Sequence, residues 1–292
     1  MTRTGLALLA ISLTLASAPA AAAEWVSLDS AITPPSKLQV RAARLRGKEP
    51  KLPPPIRIKA RLDRPAGDGP FPAVVLLHGC YGIQPYQRAL ADDLVALGYV
   101  VLQVDSYGPR RIETLCDAYS RMASVGQELD AYGALAYLAE RPFVDSDRIA
   151  MLGWSVGATS VLLALDREKI HALFPRKFRA AVAFYPYCLP AQGPFVAPLL
   201  LLIGGADDWT PAWRCERLAD RSRDRGGPFD IAVYPGAYHF FDDPAIAAPA
   251  YRPEIDNREK SPARGATFGH DPAAQADALD RVKAFLAQHL RK

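Results

Sequence analysis

Residues 151–158 read MLGWSVGA and set Ser155 between Gly153 and Gly157. A serine hydroxyl attacks a carbonyl carbon only when a base takes its proton, and the base works best when a carboxylate orients it. Both partners occur downstream. GGADDWTP (204–211) offers Asp207 and Asp208, and YPGAYHFFDDP (234–244) offers His239. Serine, acid and histidine in that chain order could perform acyl transfer. Gly-x-Ser-x-Gly is short enough to arise by chance, so its meaning depends on the elements around it.

Those elements follow from hydrophobic periodicity. Strand-like runs are IRIKARL (56–62), AVVLLH (73–78), YVVLQVD (99–105), RIAMLG (148–153), AAVAFY (180–185), PLLLLIG (198–204) and DIAVYPG (230–236). Several are continuously apolar, as strands covered on both faces must be. Amphipathic stretches at 86–97, 124–140, 156–165, 212–225 and 272–290 alternate with them, which predicts an α/β fold: a mostly parallel central sheet with helices on both faces. Ser155 then falls between a strand ending at Leu152 and the helix that follows. Glycine on either side suits a tight turn that passes close to neighbouring backbone. The irregular stretches 106–123 and 240–271 follow strands, and loops at that edge of a parallel sheet are where ligands bind.

The serine turn, GGADDWTP, YHFF and the last amphipathic stretch together resemble the dienelactone hydrolase family of α/β-hydrolases. LLHGCYG (76–82) and VDSYGPR (104–110) resemble its exported, cysteine-containing branch. The resemblance covers roughly residues 55–290. It implies Ser155 as nucleophile, His239 as base and Asp207 as acid, with Asp208 the adjacent rival. Asp207 is preferred because the family's Gly-x-x-Asp pattern starts at Gly204. The backbone N–H groups of Cys80 and Val156 match the oxyanion donors. Arg110, with Arg111 beside it, matches an arginine that holds a substrate carboxylate. Tyr81, Trp154 and Trp209, and also Tyr238 and Phe240, neighbour these positions and could wall a pocket; His78 could line it without catalysing.

The chain also departs from the family's best-known pattern. Ser155 stands in place of a cysteine and Gly79 in place of a glutamate. Asp242 and Asp243 occupy the region of a second arginine. Two acids facing the site would disfavour a substrate carboxylate, which predicts neutral esters or lactones as substrates.

Half of the 292 residues are hydrophobic, enough for a large core, and the formal charge of +4 gives no hint of a nucleic-acid partner. Residues 1–23 carry Arg3, an apolar run and an alanine-rich end, the order of a cleaved export signal. The run is too short for a stable membrane anchor. Residues 24–55 read as an N-terminal arm whose basic cluster at 41–51 is solvated, and residues 56–292 as the catalytic domain. A periplasmic or secreted location favours disulfides among the four cysteines. No Cys-x-x-Cys spacing is present, so no metal is expected, and no cofactor. Cys80 and Cys116 flank loops meeting at one sheet edge, and Cys188 and Cys215 follow adjacent strands, so pairing in sequence order is expected among three connectivities. The reading is a serine hydrolase of a small carboxylic ester or lactone. The alternatives are an exopeptidase-type serine hydrolase and a non-catalytic binding protein on the same fold.

Overall fold

The structure, a computed structural model, describes residues 23–118, 121, 125–166 and 170–291. The expected export signal lies, apart from Ala23, outside them. Val74, Val75, Leu76 and Leu77 are fully buried, so the strand that carries them, β3 (Phe71–Leu77), needs cover on both faces. It runs through an eight-stranded sheet of order β1-β2-β4-β3-β5-β6-β7-β8. β1 (Glu24–Asp29), β2 (Arg57–Asp63) and β4 (Val100–Asp105) pair antiparallel. From β4 onward across the sheet, β3, β5 (Val144–Trp154), β6 (Ala181–Phe184), β7 (Leu199–Gly204) and β8 (Phe229–Tyr234) are parallel.

The chain leaves β3 in one direction through α2 (Pro85–Ala96) to β4, then crosses back through α3 (Gln127–Ala139) to β5 and on through α4 (Val156–Leu165) to β6. Parallel crossovers are right-handed, so this reversal places α2 on one face and α3 and α4 on the other. α5 (Ala212–Asp224) continues on the α4 face; α6 (Pro272–Leu290) lies beside α2, tied to it by Lys283 and Asp93 at 3.3 Å. Where strand order reverses, the loops after β3 and β5 part and leave a crevice at the carboxyl edge. The α/β architecture expected from the strand pattern, a mostly parallel sheet with helices on both faces, is therefore present, as the resemblance to α/β-hydrolases also implied.

Three segments differ from the sequence reading. The arm is joined to the domain, because β1 adds an edge strand with Val26 and Leu28 buried and Trp25 and Ser27 facing out. The basic cluster mostly lies on and just after α1 (Lys37–Leu45), which is opened by a Ser36/Gln39 capping box and buries no residue. The stretch 240–271 holds an antiparallel ribbon, β9 (Ala250–Asp256) with β10 (Arg264–Phe268). In β9 only Ile255 is buried, so no apolar alternation announces the strand.

Both expected disulfides are present, Cys80–Cys116 and Cys188–Cys215. The second joins the segment after β6 to α5 across 27 residues. On a chain-entropy account, closing a loop of that size stabilises the fold by about 3–4 kcal/mol. Replacing Cys188 and Cys215 together by alanine is predicted to lower the urea unfolding free energy by that order; an unchanged midpoint would show that the bridge is energetically idle.

Candidate active site

Ser155 caps β5 and opens α4 with φ 50° and ψ −109°, a conformation that residues with a side chain rarely adopt. Two bonds hold it there: its N–H donates to Phe184 O at 2.9 Å, and its carbonyl accepts from Thr159 N at 2.8 Å. The flanking glycines are sterically required. A Cβ on Gly157 would lie 2.4 Å from Leu77 O and 2.6 Å from His78 O; one on Gly153 would lie 2.5 Å from the Gly157 carbonyl. The turn is thus pressed against the end of β3. Its hydroxyl stands clear at the carboxyl edge of the sheet.

The other two residues arrive on the ends of β7 and β8. His239 Nε2 lies 3.0 Å from Ser155 Oγ, and Nδ1 lies 2.7 Å from Asp207 Oδ2. Asp207 Oδ1 accepts from the N–H groups of Trp209 and Thr210, at 2.9 and 2.8 Å, and the Thr210 hydroxyl donates to Oδ2 at 2.8 Å. That bonding fixes both carboxylate oxygens. With Nδ1–H directed at Asp207, Nε2 is free to accept the serine proton. His239 is fully buried, and the rings of Tyr185 and Trp209 lie 4.4 and 4.7 Å from its own.

Asp208 is elsewhere. Its carboxylate binds Lys260 at 2.6 Å and the Thr267 N–H at 2.7 Å, which anchors β10. The structure therefore brings Ser155, Asp207 and His239 together and leaves the rival acid out.

The loop after β3 lies directly on the serine turn, since a Cβ on Gly79 would be 3.5 Å from Trp154 O and 3.7 Å from Ser155 Cβ. This places Cys80 beside the nucleophile position. The N–H groups of Cys80 and Val156 donate to no protein acceptor among the described residues, so both remain available for an oxyanion. His78 is occupied: its Nε2 accepts from Ser106 N–H at 3.2 Å and its Nδ1 donates to Gly79 O at 2.8 Å. Burial lowers its pKa, which keeps the ring neutral.

Three expectations fail. Arg110 does not face a substrate, because its guanidinium grips Asp130 with two bonds of 2.9 and 2.8 Å and also donates to Ser106 O. Asp130 is fully buried and needs that partner. Asp242 likewise does not face a substrate. It is buried and accepts from Trp154 Nε1 at 2.7 Å and Tyr185 OH at 2.6 Å. Trp154 therefore lies beneath the serine turn, stacked on Phe184, and is not part of the cavity lining beside Ser155. Asp243 caps a local turn at Ala245 N. The predicted repulsion of a substrate carboxylate by these two acids has no basis in the folded chain.

A cavity of about 140 Å³ opens beside Ser155, lined by Val156, Thr159, Tyr187, Trp209 and Glu128 among others. Trp209 is the one expected aromatic on this wall; Tyr81 lies to the side, 41% exposed, with its ring 6.0 Å from that of Phe240. Thr210, Tyr185 and Glu128 were not singled out by sequence pattern as site residues, and Asp242 was read as facing the substrate. Only Thr210, three residues after Asp207, carried a local signal.

A family model described as the dienelactone hydrolase family matches residues 58–290. A protein of Bradyrhizobium sp named "Probable 2-oxo-3-(5-oxofuran-2-ylidene)propanoate lactonase" is 28% identical over 215 residues, which span 66% of this chain and 82% of that one. The crystal structure of a dienelactone hydrolase-like promiscuous phosphotriesterase from metagenomic libraries superposes with a TM-score of 0.63 over 92% of this chain and 99% of its own. At 18% identity that likeness speaks for the fold alone.

Burial pushes the Asp242 carboxyl up from 3.8 to about 6, against the two bonds it accepts. Between those values the folded chain holds a proton that the unfolded chain has lost, so this group's contribution to stability falls as pH rises from about 4 to about 6. Relative to Asp242→Asn, the unaltered protein is predicted to lose roughly 3 kcal/mol across that window, at 1.36 kcal/mol per pH unit. Urea unfolding of both proteins at pH 4 and pH 7 measures it; parallel pH profiles would contradict it.

Proposed function

The chain belongs to the dienelactone hydrolase family and is a hydrolase of ester bonds, and from that premise we propose that it cleaves a carboxylic ester or lactone through an acyl-enzyme formed on Ser155. The observation that carries this reading is the continuous chain Ser155 Oγ, His239, Asp207, with contacts of 3.0 and 2.7 Å. His239 Nε2 takes the proton from Ser155 Oγ as the oxygen bonds to the carbonyl carbon. Asp207 stabilises the imidazolium that results. The carbonyl oxygen, now negative, accepts from the N–H groups of Cys80 and Val156; one such donor contributes about 3 kcal/mol in a site closed to water. His239 returns the proton to the leaving oxygen, and water repeats the sequence on the acyl group.

The expected carboxylate anchor, Arg110, is committed to Asp130. Within this reading the Cys80–Cys116 bridge holds the donor loop against the stretch that carries Arg110. Four cysteines paired in two disulfides also support export, with residues 1–23 as the signal and the periplasm or medium as the destination.

Ser155→Ala and His239→Ala are each predicted to lower kcat for a p-nitrophenyl ester by a factor of about a thousand or more, and the double variant to be little worse, because the pair acts as a unit. Asp207→Asn is predicted to cost about a hundredfold or more and Asp208→Asn less than about tenfold. Steady-state kinetics on folded variants decide it. If Asp208→Asn were the more damaging, the acid would be assigned to the wrong residue.

A further inference from the structure

The cavity beside Ser155 is lined by three acidic or basic side chains that the reaction does not use, Glu128, Asp256 and Arg258. Glu128 is the second residue of α3 and lines the cavity together with Ser160 and Leu163 of α4. Its carboxylate accepts from its own backbone N–H and, at 3.4 Å, the outer limit of a hydrogen bond, from Ser160 Oγ, which leaves acceptor positions open. Arg110, whose charge favours the ionised form of Glu128, makes its own hydrogen bonds to Asp130 instead. Burial raises the pKa of Glu128, and Asp130 pushes in the same direction. A carboxylate has about four acceptor positions, and leaving them unmet in a partly dry wall costs stability. A group kept under those terms beside a nucleophile is a candidate for binding.

Its position defines what it could bind. Ser160 follows Ser155 by five residues, so at 1.5 Å per residue its backbone lies about 7.5 Å along α4 from the reacting serine, and the Glu128 carboxylate stands beside the Ser160 hydroxyl. A group that reaches it from the scissile carbonyl needs about four or five bonds. Thr159 and Tyr187, between the two ends, are already bonded to each other through Tyr187 N–H and Thr159 Oγ1 at 2.9 Å.

Resting on the reading of Ser155 as the nucleophile, we infer that Glu128 is a specificity-determining acceptor that selects esters or lactones bearing a hydroxyl or ammonium donor at the end remote from the scissile bond. Arg258, on the same cavity, makes the opposite preference, for a remote carboxylate, the competing outcome.

The test uses the full mature chain and matched methyl esters of hexanoic acid that carry, at the far carbon, hydrogen, hydroxyl, ammonium or carboxylate. A second set places the same groups on the alcohol arm. In one of the two sets the unaltered protein is predicted to favour the hydroxyl and ammonium esters by about tenfold in kcat/KM over the unsubstituted one, as expected for a buried acceptor satisfied only by the right substrate. Glu128→Leu is predicted to bring that ratio near one. Glu128→Gln, which keeps a carbonyl acceptor and the shape, is predicted to retain preference for the hydroxyl and lose it for the ammonium; it carries the test if the leucine variant does not fold. Ratios near one in both sets, a preference for the carboxylate, or ratios unmoved by both substitutions would each overturn the inference. Hydrolysis of p-nitrophenyl acetate, too short to reach Glu128, reports separately on the hydrolase reading: turnover there with flat ratios sinks only the inference, and no turnover sinks the reading beneath it.

Discussion

Everything at the carboxyl edge of the sheet depends on a close approach between backbones at the serine turn. Gly157 lies so near the carbonyls of Leu77 and His78 that no side chain fits, and this contact sets the distance between β3 and the start of α4. Ser155 is thereby held at φ 50°, a conformation that costs on the order of 1–3 kcal/mol and persists only because the surroundings over-determine it. The cost is met by burial of the apolar strands on both sides. In return the hydroxyl projects from the sheet edge, and the N–H groups of Val156 and Cys80 have no protein acceptor among the described residues.

The histidine comes from a long loop, and a loop left to itself would not hold an imidazole to within a few tenths of an ångström. Asp242 supplies the missing rigidity. It receives hydrogen bonds from Trp154, next to Ser155, and from Tyr185, whose ring lies against His239. The residues after β5, β6 and β8 are thus joined by one buried carboxyl. A buried acid is expensive unless it is bonded, and here both of its oxygens are. Asp207 is restrained in the same manner by two backbone N–H groups and Thr210. The site is therefore rigid where proton transfer needs short distances, and the cavity opens on the α3 and α4 side.

The fold class, the strand–turn–helix around Ser155 and the pairing of cysteines were legible in the sequence, because hydrophobic period and glycine spacing are local signals. The acidic partner was legible to within one residue. What separates Asp207 from Asp208 is a contact with His239 across 32 residues against contacts with Lys260 and Thr267 across 52 and 59. The places where sequence reasoning went astray share that cause. Arg110 looked like an anion anchor until Asp130, on another element, took its guanidinium. Asp242 looked like an acid facing the substrate because it follows His239 by three residues, whereas its partners lie 88 and 57 residues away. Glu128 reads as an ordinary first-turn acid of a helix; only the packing of α3 on α4 turns it toward the cavity. β9 escaped because it buries only Ile255 and so lacks the alternation that a strand with one packed face would show.

The central claim is that the strained serine at residue 155 is chemically activated by the buried histidine. Labelling the folded protein with a serine-directed fluorophosphonate, followed by peptide mapping by mass spectrometry, tests it most directly. The account predicts one adduct per chain, on the peptide containing Ser155, formed by the native protein and not by protein unfolded in urea, and absent from His239→Ala. A native protein that stays unlabelled, or that carries its label on another residue, would contradict it.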